Sequence, residues 1–161
     1  SRKGKPVPTA KFIAEELVPF FAKYPNITLD GEIYTHDLKD DFNQIMSIAR
    51  QSKPTAEDLE LADKVLQYHV YDLFDSNDPN MTALDRKKTL DLILPVSNRI
   101  RRVPWQIVNS YEEMRELNQA HIADGYEGSI CRVPSSPYIN KRTKNLLKIK
   151  LFRTEEFPTW Q

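Results

Sequence analysis

One cysteine in 161 residues, Cys131, excludes an internal disulfide framework and suits a reducing compartment. An excess of charge of one sign is missing too. Lys and Arg number 23, as do Asp and Glu, so the chain has no formal net charge and bulk electrostatics name no partner. Any hold on nucleic acid has to come from a local patch. No apolar run approaches the ~20 residues needed to cross a bilayer, and the N-terminal stretch has no signal-peptide core. The expectation is a soluble, intracellular protein, cytoplasmic, at the nucleoid or nuclear, not secreted and without a membrane partner. There are no repeats, no low-complexity tracts and no Walker glycine loop. His36, His69, His121 and Cys131 show no zinc spacing. "DSNDPNMTALDR" opens like a calcium loop, but Pro79 holds its fifth position, Asn80 its glycine position, and Arg86 the place of the bidentate glutamate.

What is present is a length that fits one domain with a real core, and a hydrophobic fraction of 40% that agrees with it. "KFIAEELVPFFAKYP" carries Phe12, Ile13, Leu17, Phe20 and Phe21 near helical spacing, with Pro25 to stop it. "NITLDGEIYTH" reads as a strand. Asp41 is positioned to cap a helix with Phe42, Ile45, Met46 and Ala49 on one stripe. Thr55 with Asp58, and Ser110 with Glu113, predict capping boxes, and Thr82 caps a further helix. Gly125 ends the helix that Ser110 begins. "QYHVYDLFD", "RRVPWQIVN", "YEGSICRV" and "NLLKIKLF" read as strands. Strands and helices mixed by short links indicate an α+β fold.

Four stretches carry chemistry. In "DGEIYTH" the strand period puts Asp30, Glu32 and Tyr34 on one face and Ile33 and Thr35 on the other. The plain alternative is a solvated acidic edge. In "NLLKIKLF" Lys148 and Lys150 share a face against a backing of Leu147, Ile149 and Leu151. Such a pair repels itself unless an anion lies between; its plain alternative is an amphipathic strand. "GYEGSICR" sets Glu127 beside Gly128, where a metal ion or ligand can approach the backbone, and a regular strand would send Arg132 to the face opposite Glu127. A carboxylate beside phosphate-binding lysines suits magnesium, which prefers oxygen ligands. "YHVYDLFD" offers Tyr71 as a flat surface for a base, worth roughly 1 to 3 kcal/mol when stacked, or as an ordinary core ring.

In order, "SRKGKP", "LDGEIY", "VYDLFD", "YEGSICR" and "LLKIK" resemble the Ser-Arg-x-Gly element and motifs III, IIIa, IV and V of the ATP-dependent DNA ligases, a branch of the covalent nucleotidyltransferase superfamily. Each motif is short; five in order and spacing are specific. "DGEIYTHDLKDDFNQIMSIAR" looks more like DNA ligases than like RNA ligases or mRNA capping nucleotidyltransferases, the alternatives within the class. A non-catalytic nucleotide- or nucleic-acid-binding module is the alternative outside it. The resemblance implies a ligase-type nucleotidyltransferase domain, ATP-grasp-like, with mostly antiparallel sheets flanked by helices. It implies ATP as AMP donor, Mg2+, nicked duplex DNA as partner, a monomer, and roles in DNA replication, repair and recombination. Arg2 would grip the 5′-phosphate of the nick, Glu32 would bind the ribose and Tyr71 would stack on adenine. Glu127 would serve the metal, and Lys148 and Lys150 would neutralise the α-phosphate. Asp30 would help hold the turn.

The family's Lys-x-Asp-Gly element, whose lysine carries AMP, has no counterpart here: the residues two before the chain's Asp-Gly pairs are Thr28 and Ile122. The expectation is therefore a fragment incomplete at the N-terminus, with residues 1–152 the C-terminal part of an adenylation domain. Residues 153–161 would begin a link to an oligonucleotide-binding domain, and this chain alone would not adenylate itself.

Overall fold

The structure, a computed structural model, describes residues 6–36 and 42–150, the side chains of Phe42 and Gln44 excepted. Arg2, the Asp41 cap, Leu151 and the 153–161 link lie outside the described residues. Two compact units are present, one up to Gln106 together with Pro134–Asn140, the other Ile107–Val133 with the residues from Lys141 on. The first contains a 3-10 turn Pro8–Ala10, then α1 Lys11–Lys23, β1 Ile27–Tyr34, α2 Phe42–Ala49, α3 Ala56–Val65, β2 Gln67–Asp75, α4 Ala83–Ile93 and β3 Ile100–Arg102. The second contains α5 Tyr111–Ala123, β4 Gly128–Arg132 and β5 Leu146–Lys150. The α+β class expected from the sequence is what forms. Among the described residues no helix is long and apolar enough to cross a membrane.

Local chemistry accounts for most boundaries. The Thr55 hydroxyl accepts from the Asp58 amide while the Asp58 carboxylate accepts from the Thr55 amide at 2.8 Å, so two orphan donors at the start of α3 are satisfied reciprocally. Thr82 caps α4 by accepting from the Asp85 amide. At α5 the box is incomplete: Ser110 accepts from the Glu113 amide, but the Glu113 carboxylate takes the amide of Asn109, one residue earlier than expected. β3, Ile100–Arg102, starts one residue before the strand read from "RRVPWQIVN" and takes in only its first two residues; Pro104 has no N–H for a ladder.

In the first unit the sheet order is β1-β2-β3, with β1 antiparallel and β3 parallel to β2. Ile13, Leu17 and Phe20 of α1 and Ile45 and Ile48 of α2 pack with Ile27, Leu29, Val70, Leu73, Leu90 and Ile100 in one core. Phe21, placed by its spacing near the buried stripe of α1, is exposed. β1 and β2 change register once: Asp30 stands opposite Asp72, whereas Gly31 stands opposite Val70, which leaves Tyr71 as the extra residue of a bulge on β2. A regular strand would turn Val70 and Leu73 to opposite faces; across the bulge both enter the core. Tyr71 and Asp72 thereby share the other face. A Cβ at Gly31 would stand 2.6 Å from the His69 carbonyl oxygen and from the Tyr68 ring, so the bulge requires glycine opposite it.

Behind that face lies a buried ion pair. Arg86 Nε and Nη2 of α4 meet the two carboxylate oxygens of Asp72 at 2.9 and 3.1 Å, and both side chains are 1% exposed. Arg86 Nη1 donates to the carbonyls of Met81 and Ser136, and Asp72 accepts from the Leu73 amide. Removing one partner leaves the other charged and unpaired in a dry site. Asp72→Ala or Arg86→Ala is therefore expected to cost about 3–5 kcal/mol, measured by urea unfolding. The double replacement Asp72→Leu with Arg86→Met is expected to cost less than either single change; a cost equal to the sum of the singles would show that the two charges are not coupled.

Candidate functional site

The polar face of the first unit is built on the bulge. Strand alternation and register put Asp30, Glu32 and Tyr34 of β1 on the face of Asp72, His69 and Gln67 of β2, as the sequence period predicts. Glu32 is exposed and stands opposite His69, a carboxylate open to a hydroxyl donor. Tyr71 is half-buried and lies outside the core cluster. Its hydroxyl is held protonated well above the ordinary range, first by burial and then by the negative charge of the Asp30 carboxylate. Asp30 also accepts from the Tyr138 hydroxyl at 2.9 Å. Asp30 thus holds Tyr138 and acts by its charge on Tyr71, a more specific task than supporting a turn.

Two aromatic contacts fix Tyr138 in turn: its ring lies 5.6 Å from that of Phe74 and 5.5 Å from the guanidinium carbon of Arg86. At the other end of the face Tyr34 packs edge-on to His69, and its hydroxyl lies 3.1 Å from His36 Nδ1. Burial, followed by the charges of Arg101 and His36, keeps the His69 imidazole below its usual range.

In the second unit β4 and β5 pair antiparallel, with Gly128 opposite Lys150 and Ile130 opposite Lys148. Lys148 and Lys150 share a face, as the alternation requires. The anion between them is Glu127, whose Oε2 lies 3.3 Å from Lys148 Nζ and 2.6 Å from Lys150 Nζ. Contact with Lys150, then Lys148, holds the Glu127 carboxyl below its usual range, and Glu127 raises the Lys150 ammonium.

Two expectations change here. Gly128 has φ +140, and a Cβ there would stand 2.0 Å from the Ile149 carbonyl oxygen, so only glycine serves. This backbone excursion breaks the alternation and turns Glu127 to the lysine face, which by register is also the face of Arg132. The second correction concerns the apolar backing of the lysines, which is only partial: Ile149 is half-buried, but Leu147 is 58% exposed.

For a metal, the described residues contain no group of three or more His, Cys, Asp or Glu side chains. Glu127 alone fits a magnesium ion that draws its other ligands from phosphate and water, since its side chain is 72% exposed and both lysine contacts fall on one oxygen. Arg86, Lys87 and Tyr138 were not legible as site residues. The available signal was Asp72 itself, an acid inside the apolar run "VYDLF", which demands a buried cation from elsewhere in the chain.

A family model described as "ATP dependent DNA ligase domain" matches residues 1–150. A DNA ligase of Archaeoglobus fulgidus is 29% identical over 134 residues, which is 78% of this chain and 23% of the relative. A DNA ligase of African swine fever virus is 29% identical over 138 residues, 81% of this chain and 30% of the relative. The chain therefore spans less than a third of either. A crystal structure of Chlorella virus DNA ligase-adenylate has the same fold, with TM-score 0.68 and 21% identity, covering 93% of this chain and 54% of that one.

The charge cluster has a definite pH signature. Glu127, depressed from its ordinary 4.5, pairs fully above that value and loses the contact as pH falls through the depressed one. Lys150, raised from 10.5, pairs fully below that value and loses the contact as pH rises through the raised one. The cluster is expected to stay intact over the whole neutral range and to weaken with salt. A carbon-detected NMR titration of the Glu127 carboxyl should find its midpoint below 4.5, moving up in Lys150→Ala; a midpoint at or above 4.5 in the unaltered chain would show that the contact does not persist.

Proposed function

The chain belongs to the family of ATP-dependent DNA ligase domains, and from that premise we propose that it is the nucleotide-handling part of an enzyme that seals 5′-phosphate/3′-hydroxyl nicks in duplex DNA through lysyl-AMP and DNA-adenylate. Glu32 accepts a hydrogen bond from the ribose and Tyr71 carries the adenine. Lys148 and Lys150 neutralise the α-phosphate, and Arg2 grips the 5′-phosphate of the nick. Glu127 is the residue that would hold Mg2+, which when bound supplies charge neutralisation at the phosphate.

One observation carries the reading: Lys148 and Lys150 reach the same oxygen of one carboxylate. Two ammonium groups that fit one anionic oxygen fit a phosphate oxygen by the same geometry and gain more charge from it. Nucleotidyl transfer asks little of a protein beyond positioning and electrostatic stabilisation, and that is what this residue set offers. A lysine preceding Asp-Gly by two residues, the family's AMP acceptor, is absent from this sequence. We therefore assign this chain nucleotide binding without self-adenylation.

Calorimetric titration with ATP and Mg2+ tests the assignment. Lys148→Ala and Lys150→Ala are each expected to weaken ATP binding by roughly tenfold or more, the worth of a charge-assisted contact, with no change in the urea midpoint. Unchanged affinity in both variants would reduce "LLKIK" to an amphipathic strand.

A further inference from the structure

α4 turns two consecutive cations toward two consecutive residues of β2. Arg86 takes the carboxylate of Asp72, and Lys87 Nζ donates to the backbone carbonyl of Tyr71. Lys87 is half-buried, whereas the next residue, Lys88, is exposed, as a solvated helix lysine ordinarily is. The register leaves Tyr71 without a partner on β1, so this contact lies on the one residue of β2 that the β1 ladder does not align.

We infer that Lys87 is a positioning residue of the nucleotide site: by holding the peptide of Tyr71 it fixes the tilt at which the ring is presented to adenine. The inference rests on the proposal that Tyr71 carries the base. Lys87 ties the Tyr71 carbonyl, while on the same face Tyr138 donates to Asp30 and so fixes the carboxylate beside the ring. A platform fixed before the ligand arrives loses little freedom when the ligand stacks, and the saving appears as affinity. A bulge is where such a tie has most effect, because the extra residue has the most backbone freedom in the strand.

The test is a titration of the 161-residue chain with AMP, followed by the proton shifts of adenine H2 and H8, which move upfield when the base stacks on a ring. Lys87→Met keeps the aliphatic stem and removes the donor. It is expected to weaken AMP binding about tenfold, the worth of one hydrogen bond from a charged group, and to reduce the limiting shift. Lys87→Arg restores a charged donor and is expected to recover most of both. All variants are compared well below their melting temperatures, and Lys87→Gln replaces Lys87→Met if the latter does not fold. A purely structural lysine would lower the melting temperature and leave the affinity and limiting shift of the folded protein unchanged; that result overturns the inference. Tyr71→Ala separates the two layers. If it abolishes the adenine shift while Lys87→Met keeps full affinity and shift, the site stands and the role of Lys87 falls. If Tyr71→Ala changes nothing, or the unaltered chain shifts no adenine proton, the adenine platform falls and Lys87 with it.

Discussion

The first unit is organised by the need to keep Asp72 charged inside the protein. A carboxylate out of water is tolerable only with a matched cation and with its remaining lone pairs occupied, and Asp72 obtains both: a two-pronged contact from Arg86 and the Leu73 amide. Arg86 can serve only if its own donors are met, and Met81 and Ser136 carbonyls meet them. The pair therefore fixes more than two side chains. It ties α4 to β2 and ties the Pro134–Asn140 segment to both, which places Tyr138 against Arg86, Phe74 and Asp30. Replacing such a pair by apolar groups is often neutral for stability. What apolar groups could not reproduce is the direction it gives to its neighbours.

The bulge makes the ion pair and the polar face compatible with a core. A strand with strict alternation has to choose between burying Val70 and burying Leu73; one extra residue buries both and leaves Tyr71 and Asp72 adjacent on the far side. Gly31 is the steric condition for this, since any side chain there would strike the His69 carbonyl. The "DG" of "LDGEIY" thus has two separate explanations: aspartate to hold the Tyr138 hydroxyl, and glycine to admit the displaced strand.

How much of this the sequence disclosed depended on the range of the interaction. Local devices were legible: the α3 capping box, the Thr82 cap, the limits of β2 and the shared face of Lys148 and Lys150 follow from residues a few positions apart. The failures are equally physical. β3 is short because pairing, which a propensity pattern cannot see, stops near a proline. Glu127 joins the lysines on the face that Arg132 holds by register because one glycine at positive φ shifted the alternation by a residue. Arg86 was read only as the wrong residue for a calcium loop, because its partner lies 14 positions away on another element. Strand period is reliable until the backbone departs from it, and both departures, at Tyr71 and at Gly128, fall inside the stretches from which the candidate site residues were read.

The two units hold their charged groups by opposite means. Asp72 and Arg86 are dry and fully satisfied, so exchanging either partner is costly and the geometry persists. Glu127, Lys148 and Lys150 are open to water, where an ion pair is screened and its partners exchange readily. Their placement cannot come from the charges themselves, which are too weakly held to dictate where the chain runs. It comes from the β4–β5 register and from the backbone turn at Gly128, which set the three groups together before any charge is counted. A carboxylate held there by lysines can yield them to a stronger anion without disturbing the strands beneath. The first unit is thus rigid at its charged pair and the second exchangeable at its cluster, as the burial of the one and the exposure of the other dictate.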